Sequence, residues 1–216
     1  TCLISKRNIN DKNILLFGDS QADSIKFQLI RSSENINHNL RLYDENLKLN
    51  SQHSLKKLLK EVNKNNYKAV IIHSYPGNTN LEIIEKLLLM NEYKKIKFIY
   101  IMSPPIYNKS VPLLLFNQHV LKKSRLKRKT YSEHRSERIE EYDQVKKLKI
   151  YKNFYSADIA KEICNLPVMI KNKREYICRL MTEKFEPFYF DSHHFTNTGA
   201  SQLEKVLQKV FYKLLD

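Results

Sequence analysis

Two short stretches far apart in the chain hold the residue types that nucleophilic acyl chemistry needs. Gly18-Asp19-Ser20 directly follows the apolar block Ile14-Leu15-Leu16-Phe17, and Phe190-Asp191-Ser192-His193-His194-Phe195-Thr196-Asn197-Thr198-Gly199-Ala200 lies just before a final helical pattern. A serine at a strand-to-helix turn presents its hydroxyl in the open, and its backbone N–H sits near a helix N-terminus, where it can help stabilise an oxyanion. A free hydroxyl is a weak nucleophile at neutral pH, so a histidine must take its proton, and a carboxylate commonly fixes that histidine in the right tautomer. Asp191 and His194 are three residues apart, a spacing that in a turn puts both on one side. The carboxylate can then reach one imidazole nitrogen while the other faces the serine. Each stretch alone has a plainer reading, a tight turn with a helix cap at Gly18-Asp19-Ser20 and a capped turn at Asp191. Together they outline one catalytic centre.

The other histidines carry less. His193 neighbours His194 but points elsewhere from it, as a pocket wall or a surface residue; a metal held by Asp191, His193 and His194 is the alternative reading of that cluster. The main reading needs neither metal nor cofactor. His73 ends an apolar run and reads as a hydrogen-bonded core residue, whereas His38, His53, His119 and His134 stand in polar contexts and read as solvated.

Elements that would position these residues alternate along the chain. Ile14 to Phe17 reads as a strand, followed by a helix through Ala22, Ile25, Leu29 and Ile30. Asn39-Leu40-Arg41-Leu42-Tyr43 is a second strand, and Ser54 caps a helix with Leu55, Leu58, Leu59 and Val62 on its apolar stripe. Ala69-Val70-Ile71-Ile72-His73 is continuously apolar, as for a strand buried on both faces. A helix over residues 81–92 leads to Lys97-Phe98-Ile99-Tyr100-Ile101-Met102, which Ser103-Pro104-Pro105 stops. Residues 113–148 are charged and free of Gly and Pro, read as one or two surface helices; residues 149–155 are a fifth strand, 157–163 a short helix, and 164–188 an irregular excursion. Leu203, Val206, Leu207, Val210, Phe211 and Leu214 recur at helical spacing. Strands alternating with helices imply a parallel sheet covered on both faces, an α/β fold. Neither a repeat nor a linker interrupts it, so residues 1–216 read as one domain.

The pair Gly18-Asp19-Ser20 and Asp191-x-x-His194 resembles the first and last blocks of the SGNH (GDSL-like) hydrolase superfamily. Residues 188–200 resemble more narrowly the ending of the SGNH domains fused behind integral-membrane acyltransferase-3 proteins, which O-acetylate surface glycans. The order of elements fits over most of the chain, with Ser103-Pro104-Pro105 matching a Pro-rich loop after the fourth strand. The resemblance implies a three-layer α/β/α sandwich with a mainly parallel, flavodoxin-like sheet of about five strands. It makes Ser20 the nucleophile, His194 the general base and acid, and Asp191 its orienter. It also implies O-acyl transfer to a carbohydrate, or ester hydrolysis by the same route, from an acyl donor to a sugar acceptor, beside a membrane acyltransferase domain of the same polypeptide. Two departures stand out. Glycine occurs only at positions 18, 77 and 199, so the block that supplies a glycine N–H to the oxyanion hole is absent or altered. The next survives as Gly77-Asn78-Thr79-Asn80, with Asn78 or Asn80 beside the Ser20 N–H as donor, although Gly-Asn there also serves simply to turn the chain.

Of the three cysteines, Cys164 and Cys178 match a pair that precedes the last block in those domains, which implies a disulfide and an oxidising, extracytoplasmic compartment. Two ordinary thiols in a cytosolic protein are the alternative. No apolar run is long enough to span a bilayer, and Thr1 in place of Met suggests a piece of a longer, membrane-tethered protein. With 42% hydrophobic and 28% charged residues the composition excludes a disordered or fibrous chain. The net charge of +15 permits an acidic partner. Its densest run, Lys122, Lys123, Arg125, Lys127, Arg128 and Lys129, reads as a solvated helix face or as a contact for an anionic membrane surface or an acidic glycan, with nucleic acid disfavoured. A non-catalytic basic module that binds an anionic polymer is the competing function.

Overall fold

A computed structural model describes residues 2–5, 12–43, 48–90, 95–122 and 128–215. Its frame is a sheet of six strands, β1 (Cys2–Leu3), β2 (Asn13–Gly18), β3 (Asn39–Leu42), β4 (Tyr67–His73), β5 (Lys97–Ile101) and β6 (Phe154–Ala157), in the order β1-β3-β2-β4-β5-β6. All neighbours are parallel except β1, two residues that pair antiparallel to the edge of β3. Leaving β1 aside, the parallel strands run 2-1-3-4-5, the flavodoxin-like order, with β2 central and followed at once by α1 (Ser20–Asn35).

Alternation along β2 sorts the core into two layers. Ile14 and Leu16 point to the face covered by α1 and α9 (Glu204–Tyr212), where Ile25, Leu29, Leu207, Val210 and Phe211 join them. Leu15 and Phe17 point to the other face, with Leu58 and Val62 of α2 (Gln52–Lys64), Ile84 and Leu87 of α3 (Leu81–Leu89), and Val145 and Leu148 of α6 (Ile139–Leu148). Helices on both sides of a mainly parallel sheet make the expected α/β/α sandwich, with β1 as the strand beyond the expected five.

Several local expectations need correction. Helix α2 starts before Ser54: Ser51 is the cap, and Ser54 is the third helical residue of a reciprocal capping box. The strand expected at residues 149–155 is shifted to β6, because residues 149–153 first close the turn after α6. Residues 113–148 fall within or between three helices, α4 (Val111–His119), α5 (Tyr131–Glu137) and α6, the last packed on the sheet. The excursion after α7 (Ile159–Ile163) is irregular only in its second half, residues 178–188: before it β7 (Leu166–Ile170) and β8 (Lys173–Ile177) form an antiparallel hairpin, turning at Lys171 and Asn172, both with positive φ. The expected disulfide, Cys164–Cys178, closes the base of that hairpin. His38 and His134 are buried, not solvated. His73 is a core residue whose Nδ1 bonds to the Ile101 carbonyl.

Candidate active site

Ser20 owes its position to the abrupt end of β2. Gly18 pairs with His73 at the carboxyl edge of β4, and the chain turns directly into α1 with Asp19 as its N-cap, the carboxylate accepting from the Gln21 N–H at 2.9 Å. Ser20 is therefore the first helical residue, its hydroxyl above the sheet edge where open α/β folds bind ligands. The other Asp19 oxygen reaches across to the loop after β4, accepting from the Tyr75 N–H at 2.9 Å and from Asn78 Nδ2 at 2.6 Å. That tie was not foreseen from the sequence, where Asp19 served only as part of a triplet.

His194 arrives from the turn before α8 (Asn197–Ser201). Asp191 Oδ1 accepts the backbone N–H groups of His193 and His194, both at 2.8 Å, so the carboxylate closes its own turn. Its Oδ2 lies 2.6 Å from His194 Nδ1, and His194 Nε2 lies 2.7 Å from Ser20 Oγ, across 174 positions of sequence. A carboxylate can only accept, so the hydrogen resides on Nδ1 and the bare Nε2 of the neutral ring accepts the Ser20 hydroxyl. Burial, the largest influence on Asp191, raises its pKa, but the two backbone donors and the His194 ring outweigh it and hold the carboxyl below its ordinary value. Phe190 stacks on His194 with its ring nearly parallel, at 5.3 Å between centroids.

A cavity of about 430 Å³ opens beside the hydroxyl, lined by Asp19, Ser20, Lys48, Tyr75, Asn78 and His193. Asn78, an expected oxyanion donor, lines the same cavity as Ser20; its amide nitrogen carries two hydrogens, and Asp19 takes one of them. Asn80 is elsewhere, capping α3 through the Glu82 N–H. His193 is a pocket wall, edge-on to Tyr75 and hydrogen-bonded to Ser192, with burial and the neighbouring His194 lowering its pKa. Asp191, His193 and His194 lie close enough to hold a cation, but both nitrogens of His194 are already committed, so a metal there would have to break the Ser20–His194–Asp191 chain. Of the basic run, residues 123–127 lie outside the described residues; Lys122 and Arg128 are exposed, and Lys129 is turned inward onto the Ile106 carbonyl and Glu137. A second cavity, about 470 Å³, lies between the β4–α3 loop and the start of α6.

Residues 1–209 match the family described as the SGNH domain fused to AT3 domains. The chain belongs to that family. Comparison with curated proteins returns no match. Among solved structures, this SGNH domain is similar to the periplasmic domain of a lipopolysaccharide acetyltransferase from Salmonella ser. Paratyphi A, at 16% identity and a TM-score of 0.62, over 98% of this chain and 86% of that one. At that identity the likeness bears on the fold alone.

Proposed function

We propose that this SGNH domain is a serine-dependent O-acyltransferase that moves an acetyl or similar acyl group onto a surface carbohydrate. The observation that carries the proposal is the unbroken hydrogen-bonded chain from Ser20 through His194 to Asp191 at the carboxyl edge of the sheet. Ser20 Oγ attacks the acyl carbonyl while its proton passes to His194 Nε2. The carbonyl oxygen becomes an oxyanion facing the Ser20 N–H and Asn78, and the leaving group departs with the proton from His194. A sugar hydroxyl then attacks the acyl-enzyme, giving its proton to Nε2; the bond between Oγ and the acyl carbon breaks, Nε2 returns the proton to Oγ, and the sugar ester leaves with Ser20 restored. Water in place of the sugar makes the same machinery an esterase. Transfer is favoured because the family is one fused to AT3 domains and because the similar solved domain comes from an acetyltransferase.

The disulfide, and a structural relative described as periplasmic, support an extracytoplasmic placement, with a membrane acyltransferase domain of the same polypeptide as the natural partner. No described helix is long and apolar enough to cross a membrane. A fluorophosphonate probe should label Ser20 in the wild-type chain and fail on Ser20→Ala. An acetyl-ester assay run with and without a sugar acceptor then assigns the acyl group to sugar or to water. Absence of labelling, together with steeply salt-dependent binding to heparin, would replace this reading with that of a non-catalytic basic module.

A further inference from the structure

Helix α4 is apolar on two sides, and the core uses only one of them. Val111 is buried, and Leu114 and Leu115 pack against the α1–α9 layer. Leu113, Phe116 and Val120, spaced three and four apart on another face, are between 48% and 62% exposed, and Leu121 follows at 41%. Two further exposed aromatics flank the same helix. Phe185 meets His119 at its C-terminal end, while Phe190 precedes Asp191, whose carbonyl accepts the Val111 N–H at its N-terminal end. Leu113 and Phe116 on α4, Val120 and Leu121 just after it, and Phe185 and Phe190 at its two ends make six large apolar side chains left open in one region, more than the scattered single residues of an ordinary surface.

Charge decides what covers them. Exposed lysines bracket the patch, Lys109 just before α4, Lys122 just after it and Lys184 beside Phe185, against Glu183 and Glu186. In the sequence the cations continue with Lys123, Arg125, Lys127 and Arg128. Protein–protein contacts are depleted in lysine, and an acidic glycan can stack a sugar face on a single aromatic ring but offers no apolar volume to cover Leu113, Val120 and Leu121 together. An interfacial lipid layer accepts both, the apolar face among the upper acyl chains and the lysines among anionic headgroups.

We propose that the exposed face of α4, with Phe185 and Phe190, docks this domain peripherally on an anionic lipid bilayer. Because the first turn of α4 hangs from the Asp191 carbonyl, and Tyr107 from that of Ser192, the docked domain holds the Ser20 pocket near the membrane surface. Docking is independent of the acyl-transfer reading: Ser20→Ala should dock like wild type.

Vesicle flotation tests it on the 216-residue chain, comparing phosphatidylcholine vesicles with and without phosphatidylglycerol. Wild type should float with the anionic vesicles and stay behind with the zwitterionic ones. Leu113→Ser/Phe116→Ser should lower partitioning about tenfold or more while leaving the thermal melt unchanged, since both residues are exposed. The chain contains no tryptophan, so Phe116→Trp supplies a single reporter whose emission should shift to the blue on anionic vesicles. Three results would overturn the proposal: no flotation by wild type, equal flotation by the double variant, or a wild-type dimer in ultracentrifugation that the double variant converts to monomer, which would make a second copy the occupant.

Discussion

The two oxygens of Asp191 do different jobs, Oδ1 holding the backbone of its own turn and Oδ2 holding the ring of His194. Replacing the carboxylate with an amide separates these jobs. In Asp191→Asn the amide can keep its oxygen on the two backbone N–H groups, but it then turns an NH₂ toward Nδ1. A donor there selects the tautomer with Nδ1 bare and Nε2 protonated, which cannot accept the Ser20 proton. Asp191→Asn should therefore leave the melting temperature nearly unchanged and slow fluorophosphonate labelling of Ser20 by about 10³-fold, somewhat less than for a fully buried carboxylate because Asp191 is 35% exposed. An unchanged labelling rate would mean that His194 does not act through Asp191. Asp19 has a parallel division of labour, one oxygen on α1 and the other on the Tyr75–Asn78 loop, so a single side chain sets the distance between nucleophile and oxyanion donor.

Three elements converge at Gly18: the end of β2, the end of β4 and the start of α1. A Cβ on Gly18 would lie 1.9 Å from the His73 carbonyl oxygen and 2.7 Å from Ala22 Cβ, so neither the strand nor the helix could stay where it is. Gly18→Ala should lower unfolding stability by about 3 kcal/mol in urea titration and slow Ser20 labelling in the folded fraction, because the displaced element carries the nucleophile. Much of this arrangement was legible in the sequence. Continuous apolar runs such as Ala69 to Ile72 announce strands buried on both faces, and the spacing of Asp191 and His194 is local enough to read directly. Other features depend on neighbours that sequence does not reveal. The β7–β8 hairpin turns on Lys171-Asn172 without glycine, and its strands are mostly exposed on both faces, so no alternation marks it. Asp19 meets Tyr75 and Asn78 across 56 and 59 positions, and His134 becomes a core residue only because α5 folds inward. The outer face of α4 was hidden within a stretch whose charge suggested solvent on every side.

Stability of the whole molecule rests on two packed layers and one covalent tie, and each responds to a different solution condition. Cys164 and Cys178 are both buried in the α1–α9 layer, and their bond closes a chain segment with a sequence separation of 14. Cys164→Ala/Cys178→Ala should lower the unfolding free energy by about 3 kcal/mol at equilibrium in urea, the chain-entropy value for a loop of this length. Acid acts instead through histidines. Burial pushes His73 and His134 down to about 4, and it lowers His38 as well. As pH falls from about 6.5 towards 4, the unfolded chain takes protons that these folded rings refuse, so stability is lost across that window. At pH 5 the cost is about 2 kcal/mol for each of His73 and His134. Glu141 works the other way, since burial raises its pKa and the folded state gains its proton first, so the net slope is shallower than the histidines alone would make it. A variant comparison isolates one ring from this background. Among the described residues, both nitrogens of His134 are buried without a hydrogen-bond partner, so His134→Leu removes an unmet polar demand together with the titration. The variant should be more stable than wild type at pH 7 by about 1 kcal/mol, and its advantage should widen by about 2 kcal/mol at pH 5 in urea titrations. An advantage that stays constant between the two pH values would show that the folded protein protonates His134 as readily as the unfolded chain does.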